Sequence, residues 1–113
     1  MKSYITSIGT ATPKNKANQQ KASRILADVL NLEEREGRKL SVLFRATGIE
    51  SRHSVVEDYL KERGEYQFFP NDAAEDFPSV GKRMDLFEKA ALPLAADAIN
   101  SCFERQKDIS IND

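Results

Sequence analysis

Apolar residues recur at helical intervals in three stretches of the chain. Between Asn18 and Asn31, the residues Ala22, Ile25, Leu26, Val29 and Leu30 gather on one side of a 3.6-residue period, which predicts a helix over roughly residues 18–31 with one buried face. Leu32 leads into Glu33-Glu34-Arg35-Glu36, whose carboxylates suit the positive end of a second helix; Leu40, Leu43 and Phe44 mark its inner face and Gly48 its stop. Gly37 lies inside that segment and costs about 1 kcal/mol of helix propensity relative to alanine, so its first turn is expected to fray or to begin later. From Arg83 to about Arg105 the apolar positions come in pairs every four residues, from Leu86 and Phe87 to Cys102 and Phe103. Four residues overshoot one turn, so this stripe winds around the axis and predicts burial on more than one side. Pro93 interrupts it and predicts a kink or a break, since proline costs about 3 kcal/mol in a straight helix.

Two stretches read as extended. Tyr4, Ile5 and Ile8 predict a strand over residues 3–9, closed by Gly9 and the turn chemistry of Thr10-Ala11-Thr12-Pro13. Residues 49–56 are β-branched with polar alternation and predict a short strand or extended arm. Residues 57–81 hold no period: Gly64, Pro70, Asn71, Pro78 and Gly81 break it, while Tyr66, Phe68, Phe69 and Phe77 supply aromatics. Those rings are expected to cover the body of the domain, with a binding role as the minor alternative. The pattern as a whole is that of one α/β domain, mostly helical with one or two short strands.

Composition narrows the function classes. Apolar residues make up 40% and charged residues 31% of 113, which is not a disordered composition. Seventeen Lys and Arg oppose eighteen Asp and Glu for a net charge of −1, with the signs interspersed. No electrostatic footprint for nucleic acid or an anionic membrane is present in that pattern. One cysteine cannot close an internal disulfide, and one histidine beside it does not make the clustered ligand set that zinc takes. The amino end is too poor in apolar residues for a signal peptide, no stretch approaches a membrane span, and the cytoplasm is the expected compartment.

Three segments, in order, carry a resemblance. Ile8-Gly9-Thr10-Ala11-Thr12-Pro13 is similar to the first strand and turn of chalcone-synthase-like enzymes, where a Gly-Thr-Ala-x-Pro run closes the strand. Thr47-Gly48-Ile49-Glu50-Ser51-Arg52-His53 resembles the Thr-Gly-Ile-x-x-Arg-His segment of ketoacyl-ACP synthase III relatives and bacterial type III polyketide synthases. Pro78-Ser79, then Arg83 and Asp85, then Pro93 within an Ala-rich helix, resemble the pattern by which the polyketide synthases depart from their fatty-acid relatives. The chain thus resembles the N-terminal portion of a type III polyketide synthase.

That resemblance implies a partial thiolase-type fold over residues 1–113, cut before the catalytic residues of an enzyme several times longer and built as two related α/β halves. It implies a homodimeric acyltransferase that condenses an acyl-CoA starter with malonyl-CoA, releasing CoA and carbon dioxide, without a metal or redox cofactor. Cys, His and Asn do that chemistry in the family: an activated thiolate takes the acyl group, and aimed donors meet the developing oxyanion. All three lie beyond the matched region, so the fragment itself is expected to be inactive. Cys102, on the apolar stripe, is read as a small hydrophobe and His53 as a structural or solvated histidine. The family also sets basic residues against the CoA phosphates on the helix before the Thr-Gly-Ile segment. Lys39 aligns with one of them, while the next two positions hold Val42 and Ala46; Arg38 and Arg45, seven residues apart and so on one helix face, are the candidate substitutes. The rival readings are a small helical interaction module, using the aromatic loop and the Ala-rich helix, and a ketoacyl-ACP synthase III relative.

Overall fold

The computed structural model describes residues 1–106, which combine helices with a small antiparallel sheet. In chain order they are β1 (Asn15–Asn18), α1 (Gln19–Val29), α2 (Glu34–Ala46), β2 (Ser51–Ser54), a 3₁₀ turn (Glu57–Leu60) and α3 (Val80–Glu104).

The sheet does not form where apolar alternation predicts its first strand. Residues 3–9 are in no ladder; the strand is the polar run Asn15–Asn18, paired antiparallel with β2 in the register Asn15 to Ser54 through Asn18 to Ser51. A ladder is made by main-chain groups, and Ala17 is the single side chain of β1 that the body buries. Residues 3–9 instead lie along the end of α3, where Ser7 Oγ donates to Cys102 O at 2.8 Å and Arg105 donates to Ile8 O at 3.3 Å. Gly9 permits that approach: a Cβ there would sit 2.0 Å from Ala98 O and 2.4 Å from the Cys102 nitrogen, so no larger residue fits.

The first two helices form where the expected stripes place them, and local chemistry sets their ends, but Leu30 and Leu43 on those stripes are 51% and 61% exposed and α2 buries no residue. Asn18 caps α1, its side chain accepting from the nitrogens of Gln20 and Lys21 at 2.9 and 3.1 Å. The helix closes with Asn31 in the left-handed region (φ 49), Leu32 N bonding Ala27 O and Asn31 N bonding Asp28 O. These are the two bonds of a Schellman motif. In α2 the first turn does not fray. It starts at Glu34, and Gly37 faces α1 at ordinary contact distance, where an added Cβ would lie 3.5 Å from the Ala27 Cβ. Ser41 donates to Gln20 Oε1 at 3.0 Å across the same interface.

The third helix runs unbroken through Pro93. The carbonyl that the proline leaves without a donor belongs to Lys89, an exposed position where water can replace it. None of its 25 residues is buried, and it takes part in no substantial pairing with another element. Ser79 caps it, Lys82 Nζ donates to the carbonyls of Gln67 and Phe68, both at 3.0 Å, and Leu86, Pro93 and Leu94 border clefts that Val55 also lines. The molecule is accordingly elongated, 57 × 32 × 25 Å with a radius of gyration of 18.8 Å. A compact chain of this length would have a radius of about 13 Å.

The hydrophobic core is small and built around the aromatic loop. Ile25, Tyr66 and Phe69 are buried together, with Val29, Val56, Tyr59 and Phe68 packed on them. Phe69 meets Tyr59 and Phe68 edge-on, each at 5.4 Å between centroids. One buried carboxylate holds this loop. Asp58, 1% exposed, accepts from the nitrogens of Gln67, Phe68 and Phe69 at 3.0, 2.7 and 2.8 Å. Replacing Asp58 by Ala strands those donors beneath the rings, so urea unfolding should show a loss of about 3 kcal/mol, with Asp58→Asn, which keeps one acceptor oxygen, losing less.

Candidate functional site

The cationic candidates sit on the outer side of α2. Arg38, Lys39 and Arg45 are all exposed. Arg38 and Arg45 stand about 20° apart around the axis, so they share a face, whereas Lys39 lies about 100° from Arg38. Arg35 and Val42 occupy the arc between them. Arg38 is 3.5 Å from Glu34 Oε1, an exposed pair one turn apart that contributes little. Among the described residues neither Lys39 nor Arg45 is in an ion pair. Arg45 is in the last turn of α2, where its charge also meets the negative end of the helix dipole. The two arginines therefore share a face, and the lysine projects from a neighbouring one. Such a surface attracts a mobile phosphate chain without fixing it in one geometry.

Directly after this face the chain turns back into the sheet. Gly48 takes a positive φ of 69°, and Thr47 Oγ1 donates to Phe44 O at 2.7 Å while accepting from Ile49 N at 3.3 Å. The pivot beneath is Gln19, 1% exposed. Its side-chain nitrogen donates to Thr47 Oγ1 at 3.5 Å, its oxygen accepts from Arg52 Nε at 2.8 Å, and its main-chain nitrogen donates to Glu50 O at 2.9 Å. Arg52 also stacks its guanidinium over Phe44, 5.6 Å from the ring centroid. His53 has the main-chain partner that its segment did not reveal: Nδ1 donates to Pro13 O at 2.8 Å, which leaves Nε2 as the other ring nitrogen. Arg52, His53, Ser54 and Tyr59 ring a concavity of about 210 Å³ whose other walls are Ala17, Ala22, Leu26 and Phe44.

Cys102 does not line this concavity. It is half-buried, and the Gly9 segment crosses directly over it. Among the described residues no cluster of three metal-ligating side chains occurs, and no helix is long and apolar enough to cross a membrane.

Sequence reasoning passed over Gln19, Asp58 and Tyr59. Gln19 had a signal: it shares a helix side with Ala22, Leu26 and Ser23, a polar residue on an apolar stripe, which demands buried partners. Asp58 and Tyr59 had none, because their roles come from residues nine to eleven positions away in an aperiodic loop. No family model, no curated protein and no solved structure matches this chain.

Burial raises the phenol of Tyr59 above its ordinary 10.0, against an opposing pull from the Arg52 charge. Burial likewise raises Tyr66, helped by the carboxylates of Asp28 and Glu62. In both cases the unfolded chain loses its proton first, so stability is fully present below pH 10 and falls as pH climbs through the higher folded values. Alkaline denaturation of the wild type should show this loss, and a Tyr59→Phe, Tyr66→Phe double variant should show a flatter profile above pH 10.

Proposed function

We propose that this chain corresponds to the N-terminal part of a type III polyketide synthase, an acyltransferase of thiolase-type fold that joins an acyl-CoA starter to malonyl-CoA. The observation that carries the reading is the order and spacing of three segments: Gly9 to Pro13, Thr47 to His53, and Pro78 to Pro93. Two features of the fold suit it. The Thr47-Gly48-Ile49 turn leads directly out of a helix whose outer face is cationic, the position at which the family meets CoA phosphates. A 25-residue helix with no buried residue also suits an element that packs between layers of a larger body. The working enzyme is a cytoplasmic homodimer, and its catalytic Cys, His and Asn have no counterpart in these residues.

On this reading Lys39 and Arg45, with Arg38 as substitute, hold the CoA phosphates. Exposed cations on one helix would bind substrate and transition state equally. In the longer enzyme, Lys39→Ala with Arg45→Ala should therefore raise KM for CoA substrates about tenfold and leave kcat nearly unchanged, each exposed pair being worth up to about 1 kcal/mol. A small thioester lacking the nucleotide should not respond. Equal loss of kcat with both substrates would mean that the residues are structural.

The 113-residue chain itself should release no carbon dioxide from labelled malonyl-CoA in the presence of an acyl-CoA starter. Turnover that survives Cys102→Ala would sink this assignment of the active site.

The helical interaction module remains a second reading because one observation favours it. Phe87 and Leu92 on α3 are 63% and 77% exposed, and Val80, Met84 and Ile99 are exposed beside them. The aromatic loop adds little, since Tyr66 and Phe69 are each only 7% exposed, although Phe77 is 46% exposed. A coding sequence that continues past residue 113 into a nucleophile segment decides for the enzyme.

A further inference from the structure

The concavity between β1, α1, β2 and the 3₁₀ turn has a chemistry that the CoA reading does not use. Its floor is apolar and closed, Ala17 and Ala22 being 2% and 4% exposed, and Leu26 and Phe44 form its sides. Arg52 stands at its edge, already positioned. Its Nε is committed to Gln19 Oε1 at 2.8 Å and its guanidinium lies over the Phe44 ring, 5.6 Å from the centroid. The guanidinium keeps its terminal N–H groups, and among the described residues no carboxylate lies within ion-pair distance of it. A buried amide and an aromatic ring hold this exposed guanidinium at the rim of the concavity. Tyr59 borders the same space, close enough for the Arg52 charge to act on its phenol.

We propose that this concavity binds a small monocarboxylate bearing a short apolar tail. The carboxylate lies against the terminal N–H groups of Arg52, the planar pairing that guanidinium favours, with the Tyr59 hydroxyl as a further donor. The tail lies on Ala17, Ala22, Leu26 and Phe44. Size bears on the class of ligand: about 210 Å³ falls below the range of about 300–1,000 Å³ that holds drug-sized molecules and suits a short acyl chain. The apolar floor selects against a bare inorganic anion, which would lose water there and gain no partner.

The full chain should be titrated with acetate, butyrate, hexanoate, hexanamide and inorganic phosphate, following backbone amides by NMR. Saturable shifts centred on Ala17, Ala22 and Ser54 are expected with hexanoate. Affinity should rise by up to about fourfold per methylene from acetate to hexanoate, since each buried methylene contributes about that factor. Hexanamide should bind at least about tenfold more weakly, because hydrogen bonds to a charged group are the stronger ones. Tyr59→Phe, which keeps the ring and the fold, should weaken hexanoate about threefold or more, as loss of one hydroxyl donor does. Lys39→Ala with Arg45→Ala should leave hexanoate binding unchanged, so that failure here is separable from failure of the CoA assignment. Hexanamide binding as tightly as hexanoate, phosphate shifting the same amides as strongly, or no saturable shift with any probe would each overturn the proposal.

Discussion

A buried amide organises the half of this molecule in which function is sought. Gln19 begins α1 and has lost nearly all contact with water, so its polar atoms must find partners inside the protein. They find Thr47 at the end of α2 and Arg52 in β2, while its main chain extends the β1–β2 pairing by one bond to Glu50. Three elements distant in sequence are thereby held at one point. The reversal after α2, the aim of the Arg52 guanidinium and the floor of the concavity all depend on it. Gln19 is worth more as a constraint than as a source of stability, since a typical hydrogen bond contributes only about 1 kcal/mol net while an unsatisfied one costs more.

The two clasps of the fold divide the work. Gln19 orders the polar side, where sheet, helix end and arginine meet. Asp58 orders the apolar side, drawing three successive nitrogens of the aromatic loop onto one carboxylate so that Tyr66 and Phe69 can reach Ile25. A core this small gains much of its definition from such polar fixing, because few apolar contacts are available to choose one packing over another.

Legibility in the sequence tracked whether a signal was local. The first two helices were readable from Ala22 to Leu30 and from Leu40 to Phe44, since amphipathic spacing is a property of neighbours along the chain. The strand was not: Asn15–Asn18 has no alternation to read, and its pairing with Ser51–Ser54 is supplied by a partner more than thirty residues on. Tyr4, Ile5 and Ile8 have the right composition for a strand but pair with neither β1 nor β2. Pro93 predicts a kink or a break because the rule for helix interiors assumes that the orphaned carbonyl lacks a partner; the helix continues without a break, with that carbonyl at the exposed Lys89, where water can reach it. At the candidate site, Arg38 and Arg45 share a face as their spacing required, while Lys39 falls elsewhere by the same arithmetic. The concavity was invisible because its walls come from both strands, two helices and the 3₁₀ turn.

The seat of Gly9 on α3 bears on the order in which the chain can assemble. Ser7 and Cys102 are 95 positions apart, and joining points so distant in a free chain carries a closure entropy of about 4 kcal/mol before any constant term. One hydroxyl-to-carbonyl bond returns about a quarter of that. The amino-terminal strap is thus a late event: the body and α3 must already stand in place, shortening the path between the two ends, before the strap can settle. Docking of the strap therefore reports that the segments between Ser7 and Cys102 have already folded.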